Sequence, residues 1–268
     1  MDSKMEDIMK YEEYWKEYDE YGNLIHFRNN KGFQYWKDYD EKGNEIHYHD
    51  TMGYEEWRKY NKEGKEIYLE TSEGFKEWNE YDAKGNIVHY RNSDGYTKDF
   101  KYNDDNLLVY TKDSNNYEAI YEYDDKNRVI KFKDSKGFEY CNIYDDINKI
   151  ETYKTNRGYE EISEFDNNGN KIHFKNSRGF MYWHVFDEKN LEREYRDLSG
   201  YKQIYKYNSK DQLIGVEDSK GFTDIREYDD HNMLIHYKNS RGYEYWVEYN
   251  EQGLEVYHKE VKPVAYKL

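Results

Sequence analysis

The sequence predicts an all-β protein, an antiparallel β-hairpin repeat array of twelve 21-residue units laid out as an open twisted sheet or a β-solenoid. Three observations carry this prediction. A Gly-[Phe/Tyr] pair recurs at 21-residue steps from Gly32 through Gly53, Gly74 and Gly95 to Gly242, with Asn116-Tyr117 in the one slot lacking glycine. A [Tyr/Phe]-[Asp/Asn] pair keeps the same period twelve times, from Tyr18-Asp19 to Tyr249-Asn250. Turn signals recur about every ten residues, which leaves no room for helices.

Each unit contains two turns of the form [Asp/Asn]-x-x-Gly, as in Asp40-Glu41-Lys42-Gly43 and Asp50-Thr51-Met52-Gly53. Asp or Asn first and Gly fourth suit a type I turn with a bulge at the Gly. Three residues beyond each Tyr-Asp aspartate or asparagine stands Gly22, Gly43, Gly64, Gly85, Gly169 or Gly253. The other units have Asn or Asp there, among them Asn106, Asn148 and Asp211. A slot restricted to these three residues reads as a left-handed backbone position. The short segments between turns, rich in Tyr, Trp, Phe, Ile and His, read as strands. The chain divides into an N-terminal cap at 1–11, the twelve-unit domain at 12–260 and a C-terminal tail at 261–268.

Charges suggest the register. If Tyr39 pairs with Asn44 across the Tyr-Asp turn, Trp36 faces His47 and Tyr35 faces Tyr48. The same register opposes Glu118 to Lys133, Glu139 to Lys154 and, with both signs reversed, Lys202 to Glu217. The Gly-aromatic hairpin then needs one extra bulged residue to keep the faces consistent. That bulge opposes Lys112 to Glu118, Lys133 to Glu139 and Glu70 to Lys76. Phe33, Tyr39, Ile46 and Tyr48 mark the packed face. The opposite face carries a row of Trp or Ile alternating with His or Tyr.

Composition bounds the function. Lys and Arg number 41 against 57 Asp and Glu, a formal charge of −16, and 34 Tyr, 11 Phe and 6 Trp replace the usual aliphatic core. The single cysteine, Cys141, excludes a disulfide framework within the chain and a cysteine-based zinc site. No apolar run reaches a membrane span and the first residues lack a signal-peptide pattern, so a soluble, cytoplasmic protein is expected. There is no phosphate loop, nucleophile elbow or His-Glu-x-x-His motif, so the sequence predicts no enzyme, no cofactor and no metal centre.

Tyr39-Asp40-Glu41-Lys42-Gly43-Asn44 and Tyr81-Asp82-Ala83-Lys84-Gly85-Asn86, at 21-residue spacing over about residues 12–259, resemble the YD repeats of RHS-type proteins. The resemblance implies wrapped β-strands; in that family they form a shell that can enclose a toxic C-terminal domain. This sequence reads as a short variant without shell or toxin domain.

Two rows are candidate sites. Trp15, Trp36, Trp57, Trp78, Trp183 and Trp246 share one slot, which elsewhere holds Ile120, Ile162, Ile204 or Ile225, with Asp99 and Cys141 as exceptions. Stacked indoles grip sugars, choline-like cations or bases, whereas exchange with Ile points to packing. The second row is acidic: Glu20, Glu41, Asp104, Asp125, Asp146, Glu188, Asp230 and Glu251 lie at Tyr-Asp turns. It suits a basic partner, and it equally suits solvation of turns. His26, His47, His89, His173 and His236 share a slot with Tyr and read as structural. A basic stripe from Arg28 to Lys259 reads as a cross-strand charge ladder rather than a nucleic-acid site.

The function expected is a non-enzymatic repeat protein presenting an acidic, Tyr/Trp-rich surface to a basic protein partner. Its concrete form is an inhibitor or immunity-type protein blocking a nucleic-acid-handling enzyme, with no direct nucleic-acid or membrane contact. The alternatives are a carbohydrate- or choline-binding module using the Trp row, with a small glycan as ligand, or a structural spacer.

Overall fold

A computed structural model describes residues 9–263, and within them every regular element is a strand of one 24-stranded antiparallel sheet. The strands are numbered β1–β24 in chain order. They begin with β1 (Met9–Tyr18), β2 (Leu24–Asn29), β3 (Gln34–Tyr39) and β4 (Glu45–Asp50), and end with β23 (Glu244–Tyr249) and β24 (Glu255–Pro263). Most strands are six residues long, as the turn spacing requires. The cap assigned to 1–11 and the tail assigned to 261–268 fall largely outside the described residues. Two compact units partition the chain: residues up to Tyr54 together with those from Val185 onward, and Glu55–His184.

The hairpin array is present, but the open sheet or solenoid is not. β1 pairs with β2 on one side and with β24 on the other, through seven residue pairs from Met9–Pro263 to Trp15–Tyr257. The topology is therefore that of a closed 24-strand antiparallel barrel, with no unpaired end strand among the described residues. Closure depends on how twist and stagger accumulate over all the strands, which no local pattern encodes.

Turn chemistry matches the sequence closely. In the Tyr-Asp turn the Gly43 amide donates to the Asp40 carbonyl (3.0 Å) and the Asp40 amide donates to the Asn44 carbonyl (2.9 Å). The Asp40 carboxylate accepts the amides of Lys42 and Asn44, both at 2.9 Å, and the Asn44 side-chain amide at 2.9 Å. These donors, the Asn44 side chain foremost, hold its pKa below the ordinary value. Asn106 and Asp211 have positive φ as expected, and so does Asn116 in the slot lacking glycine. In the hairpin joining β13 (Glu139–Asp145) to β14 (Ile150–Thr155), however, positive φ falls on Lys149 (56°) rather than on Asn148.

The register differs from the charge-based one in two ways. In the Tyr-Asp hairpin Trp36 opposes His49 and Tyr35 opposes Asp50, two residues further along than expected, so Ile120 rather than Glu118 opposes Lys133. This hairpin also carries an extra residue within its strands that was not expected there. Tyr39 opposes Glu45 while Asp38 opposes His47, leaving Ile46 as the bulge. The Gly-aromatic pairs Lys112–Glu118, Lys133–Glu139 and Glu70–Lys76 form as expected.

Trp and His still share a face, because a shift of two preserves side-chain direction. The Phe/Tyr face is the more buried one. It holds Ala119, Thr111, Val216, Ser163, Val247, Asp224, Thr71 and Phe132, which are eight of the ten buried residues among those described. In the unit containing both chain ends, rings stack across consecutive strands in the order Tyr237, Tyr245, His258, Tyr14, Phe27, Tyr35 and Tyr48, with centroids 4.7–5.4 Å apart. The ladder crosses the β24–β1 seam without a break.

Tyrosine of the Tyr-Asp pair also acts through its hydroxyl. Tyr39 donates to the Leu24 carbonyl (2.9 Å), Tyr123 to that of Leu108 (2.7 Å) and Tyr228 to that of Leu213 (2.8 Å), each hook joining a hairpin to the one before it. Tyr18 makes the same hook across the seam, to the Glu255 carbonyl at 2.9 Å. The pairs Lys16–Glu255 (3.0 Å), Lys259–Glu13 (3.3 Å) and Lys262–Glu12 (3.2 Å) add charge complementarity there.

Two measurements check this account. Lys149→Gly is expected to raise the urea midpoint, gaining about 0.5 kcal/mol as relief of left-handed strain outweighs added chain entropy. Gly43→Ala, at φ 81°, is expected to cost about 1 kcal/mol. The second concerns His258, which lies between Tyr14 and Tyr245 with its Nδ1 buried and unpaired; burial holds its pKa below the ordinary value despite Glu255 and Glu260 nearby. The folded seam therefore binds fewer protons than the unfolded chain just below about pH 6.5, and stability falls as pH drops toward the lower folded value. His258→Phe keeps a stacking ring and removes that loss, so its melting temperature should fall less than wild type between pH 7.5 and 5. Parallel profiles would count against the assignment.

Candidate functional site

The Trp row lies on the less buried face, with Trp57 38% and Trp246 36% exposed. Its indoles are nevertheless occupied by neighbours on adjoining strands. Trp36 is stacked between His26 (4.9 Å, 7°) and His49 (5.0 Å, 19°). Trp78 lies between Tyr68 at 5.6 Å and the Arg91 guanidinium at 4.0 Å, and Trp15 between Arg28 at 5.2 Å and Tyr257 at 5.7 Å. Trp183 stacks on His173 (5.2 Å) and Trp246 on His236 (5.3 Å). Trp57 opposes Glu70.

Each histidine of the row also meets a carboxylate. His26 meets Glu17 at 3.3 Å, His47 meets Asp38 at 3.2 Å, His89 meets Asp99 at 2.6 Å and His173 meets Glu164 at 3.0 Å. His236 lies between Glu227 (3.4 Å) and Glu244 (2.9 Å). Spacing could not reveal the partners of His26, His47 and His173, because the expected Tyr-Asp register was two residues out, whereas Asp99 faces His89 across a Gly-aromatic hairpin whose register was as expected. Among the described residues no three His, Cys, Asp or Glu side chains converge as a metal centre would require.

A sugar or choline headgroup binds an indole by covering its face. Trp36 has a stacked ring on both faces, which leaves only its edges to a ligand, and Trp15 and Trp78 each have a guanidinium over one face and a tilted tyrosine on the other adjoining strand.

The acidic row has a different fate in each unit. In the Glu55–His184 unit, Asp146 is clamped by Arg128 (2.7 Å) and Lys126 (2.7 Å), which push its pKa down to about 2. Asp104 and Asp125 are exposed on the two preceding Tyr-Asp turns. In the other unit, Glu188 is separated from the rest of the row by Ser209. The β24–β1 pairing sets the turn of Glu251 beside that of Glu20. Asp230, Glu251, Glu20 and Glu41 thus occupy four successive turns at about 9–10 Å intervals, two strand spacings apart. All four are exposed, and among the described residues none has an ion-pair partner.

Two surface grooves run along this rim. One of about 610 Å³ is bordered by Glu17, Asp19, Glu20 and Glu251. The other, about 660 Å³, is bordered by Asp19, Tyr21, Asp38, Asp40 and Glu41, with Lys37 and Lys42 also on its wall. Tyr21, 83% exposed, borders the second groove as an aromatic anchor that sequence alone did not single out. Its signal was present: Tyr occupies a turn position that is Lys at 42, 84, 126, 189 and 210.

No protein family matches the chain, and no curated protein does. Among solved structures, the chain is similar to the TcdB2-TccC3 Tc toxin crystal structure at 11% identity, over 94% of this chain and 21% of that one, with a TM-score of 0.25. For the Photorhabdus luminescens Tc holotoxin pore the figures are 11%, 96%, 21% and 0.27. For a porin-like protein from Bacteroides uniformis they are 9%, 94%, 96% and 0.22. The chain spans about a fifth of the Tc toxin chains. The link to Tc toxin proteins is a coarse one.

The occupied indole faces carry a prediction. Titration with choline or gluco-oligosaccharides to about 10 mM, above the weak affinities of single stacking sites, should leave tryptophan emission unchanged. Saturable quenching that disappears in Trp36→Ala would show instead that the stacks open.

Proposed function

We propose that this protein is a non-enzymatic binding protein whose acidic Tyr-Asp rim receives a basic protein partner. A single observation carries the reading: Asp230, Glu251, Glu20 and Glu41 stand unpaired on successive turns of one rim, with grooves and Tyr21 alongside them. Unpaired exposed carboxylates supply long-range attraction and fast association with a cationic surface. The exposed tyrosine supplies the apolar anchor that steering charges alone do not. A row of regularly spaced negative charges also suits a surface that normally holds a phosphate backbone. The concrete form is thus an inhibitor or immunity-type protein that occupies a basic, nucleic-acid-handling enzyme.

The test is affinity capture from the source organism's lysate at about 0.05 and 0.5 M salt, with wild type and the exposed-turn variant E20K/E41K/E251K side by side. The expected result is one basic protein, retained by wild type, released by salt because exposed pairs are screened, and missed by the variant. Equal retention by the variant, or indifference to salt, would overturn the proposal.

A further inference from the structure

Alternate hairpins turn at opposite ends of the strands, so each unit has a Tyr-Asp rim and a Gly-aromatic rim. The third position of the Gly-aromatic turn holds Lys136, Arg157 and Arg178 on three successive turns of the Glu55–His184 unit. Each cation lies over the ring that follows the glycine slot of the preceding turn: Lys136 over Tyr117 at 5.5 Å, Arg157 over Phe138 at 5.2 Å and Arg178 over Tyr159 at 5.2 Å. All three are exposed, and among the described residues none has a carboxylate partner. The same turn position in the other unit holds Lys220 over Tyr201 (5.2 Å) and Arg241 over Phe222 (5.1 Å). Within the strand ladder of this protein, which carries −16, cations are largely matched, as Lys112 is by Glu118 (2.7 Å) and Lys133 by Glu139 (2.8 Å). Stacking fixes one face of a guanidinium and leaves its in-plane N–H donors for a carboxylate.

The spacing of these cations identifies what they fit. They repeat every two strands, at about 9–10 Å. The carboxylates of Glu251, Glu20 and Glu41 repeat at that same interval, because both rims are built by the same hairpin period. A partner whose charges follow another repeat would fall out of step within a few turns. A second copy of this chain cannot.

We propose that copies of this chain associate head to tail, with Lys136, Arg157 and Arg178 of one copy set against Glu251, Glu20 and Glu41 of the next. The two surfaces are different, so the contact is heterologous and extends into an open series unless geometry closes it. Net charge opposes the approach at long range, but that repulsion decays over about 8 Å at physiological ionic strength while pairs in contact persist. Association therefore belongs at moderate salt and is lost in high salt.

Sedimentation velocity on the full chain, over a concentration series at about 0.15 and 1 M salt, tests the proposal. Wild type is expected to exceed its 33.1 kDa monomer mass at moderate salt and to return to it at high salt. K136E/R157E/R178E and E20K/E41K/E251K should each associate roughly tenfold more weakly, and a mixture of the two should associate again. All six positions are exposed turn residues, and unchanged circular dichroism verifies folding. A wild type that stays monomeric throughout, or a basic-rim variant that assembles like wild type, overturns the proposal. The basic-rim variant keeps its acidic rim, so failure of self-association and failure of partner capture are read separately.

Discussion

An odd repeat length in a structure whose side chains alternate with period two is the constraint on which everything else here depends. Twenty-one residues per hairpin would send each equivalent side chain to the opposite face in the next unit. One extra residue per Tyr-Asp hairpin, Ile46 in the second unit, cancels the flip. The β13–β14 hairpin shows that the demand is for one residue rather than for a particular place. It has no bulge between its strands, its turn is one residue longer, and the left-handed position moves to Lys149. Because of this correction tyrosines and phenylalanines remain on one face, tryptophans and histidines on the other.

Once the faces are consistent, cross-strand contacts extend as ladders. Aromatic rings stack along the buried face, and the Tyr-Asp hydroxyls hook each hairpin to the previous one. Neither contact distinguishes a neighbour in sequence from one brought close by closure. Tyr18 therefore hooks Glu255 as Tyr39 hooks Leu24, and Tyr14 stacks on His258 as Phe27 stacks on Tyr35. The seam between the chain ends is made from the repeat's own interactions, reinforced by Lys16–Glu255 and its neighbours.

Much of this was legible in the sequence. The hairpin unit, the turn types, the left-handed slots and the assignment of faces follow from residues that tolerate few backbone conformations. Register was half legible. Charges placed Lys112 opposite Glu118 correctly, but in the Tyr-Asp hairpin they gave a pairing two residues out, because charged side chains reach diagonal neighbours almost as well as direct ones. The serine of the Gly-aromatic turn was passed over entirely. Its hydroxyl accepts a neighbouring amide, as Ser72 does from Glu55 at 3.0 Å, a role visible only when the adjoining hairpin is in place.

By itself, then, the sequence determined the local architecture: hairpins, turns, faces, and a candidate acidic row at one class of turn. Tertiary structure alone decided that the sheet closes. It also decided that Glu251 neighbours Glu20, that Asp146 is neutralised by Arg128 while Glu20 and Glu41 are not, and that both faces of Trp36 are already covered. The reason is one of range. Backbone preference and side-chain alternation act over a few residues and are written into each unit, whereas closure is a sum of small twists over every strand. No single repeat contains that sum.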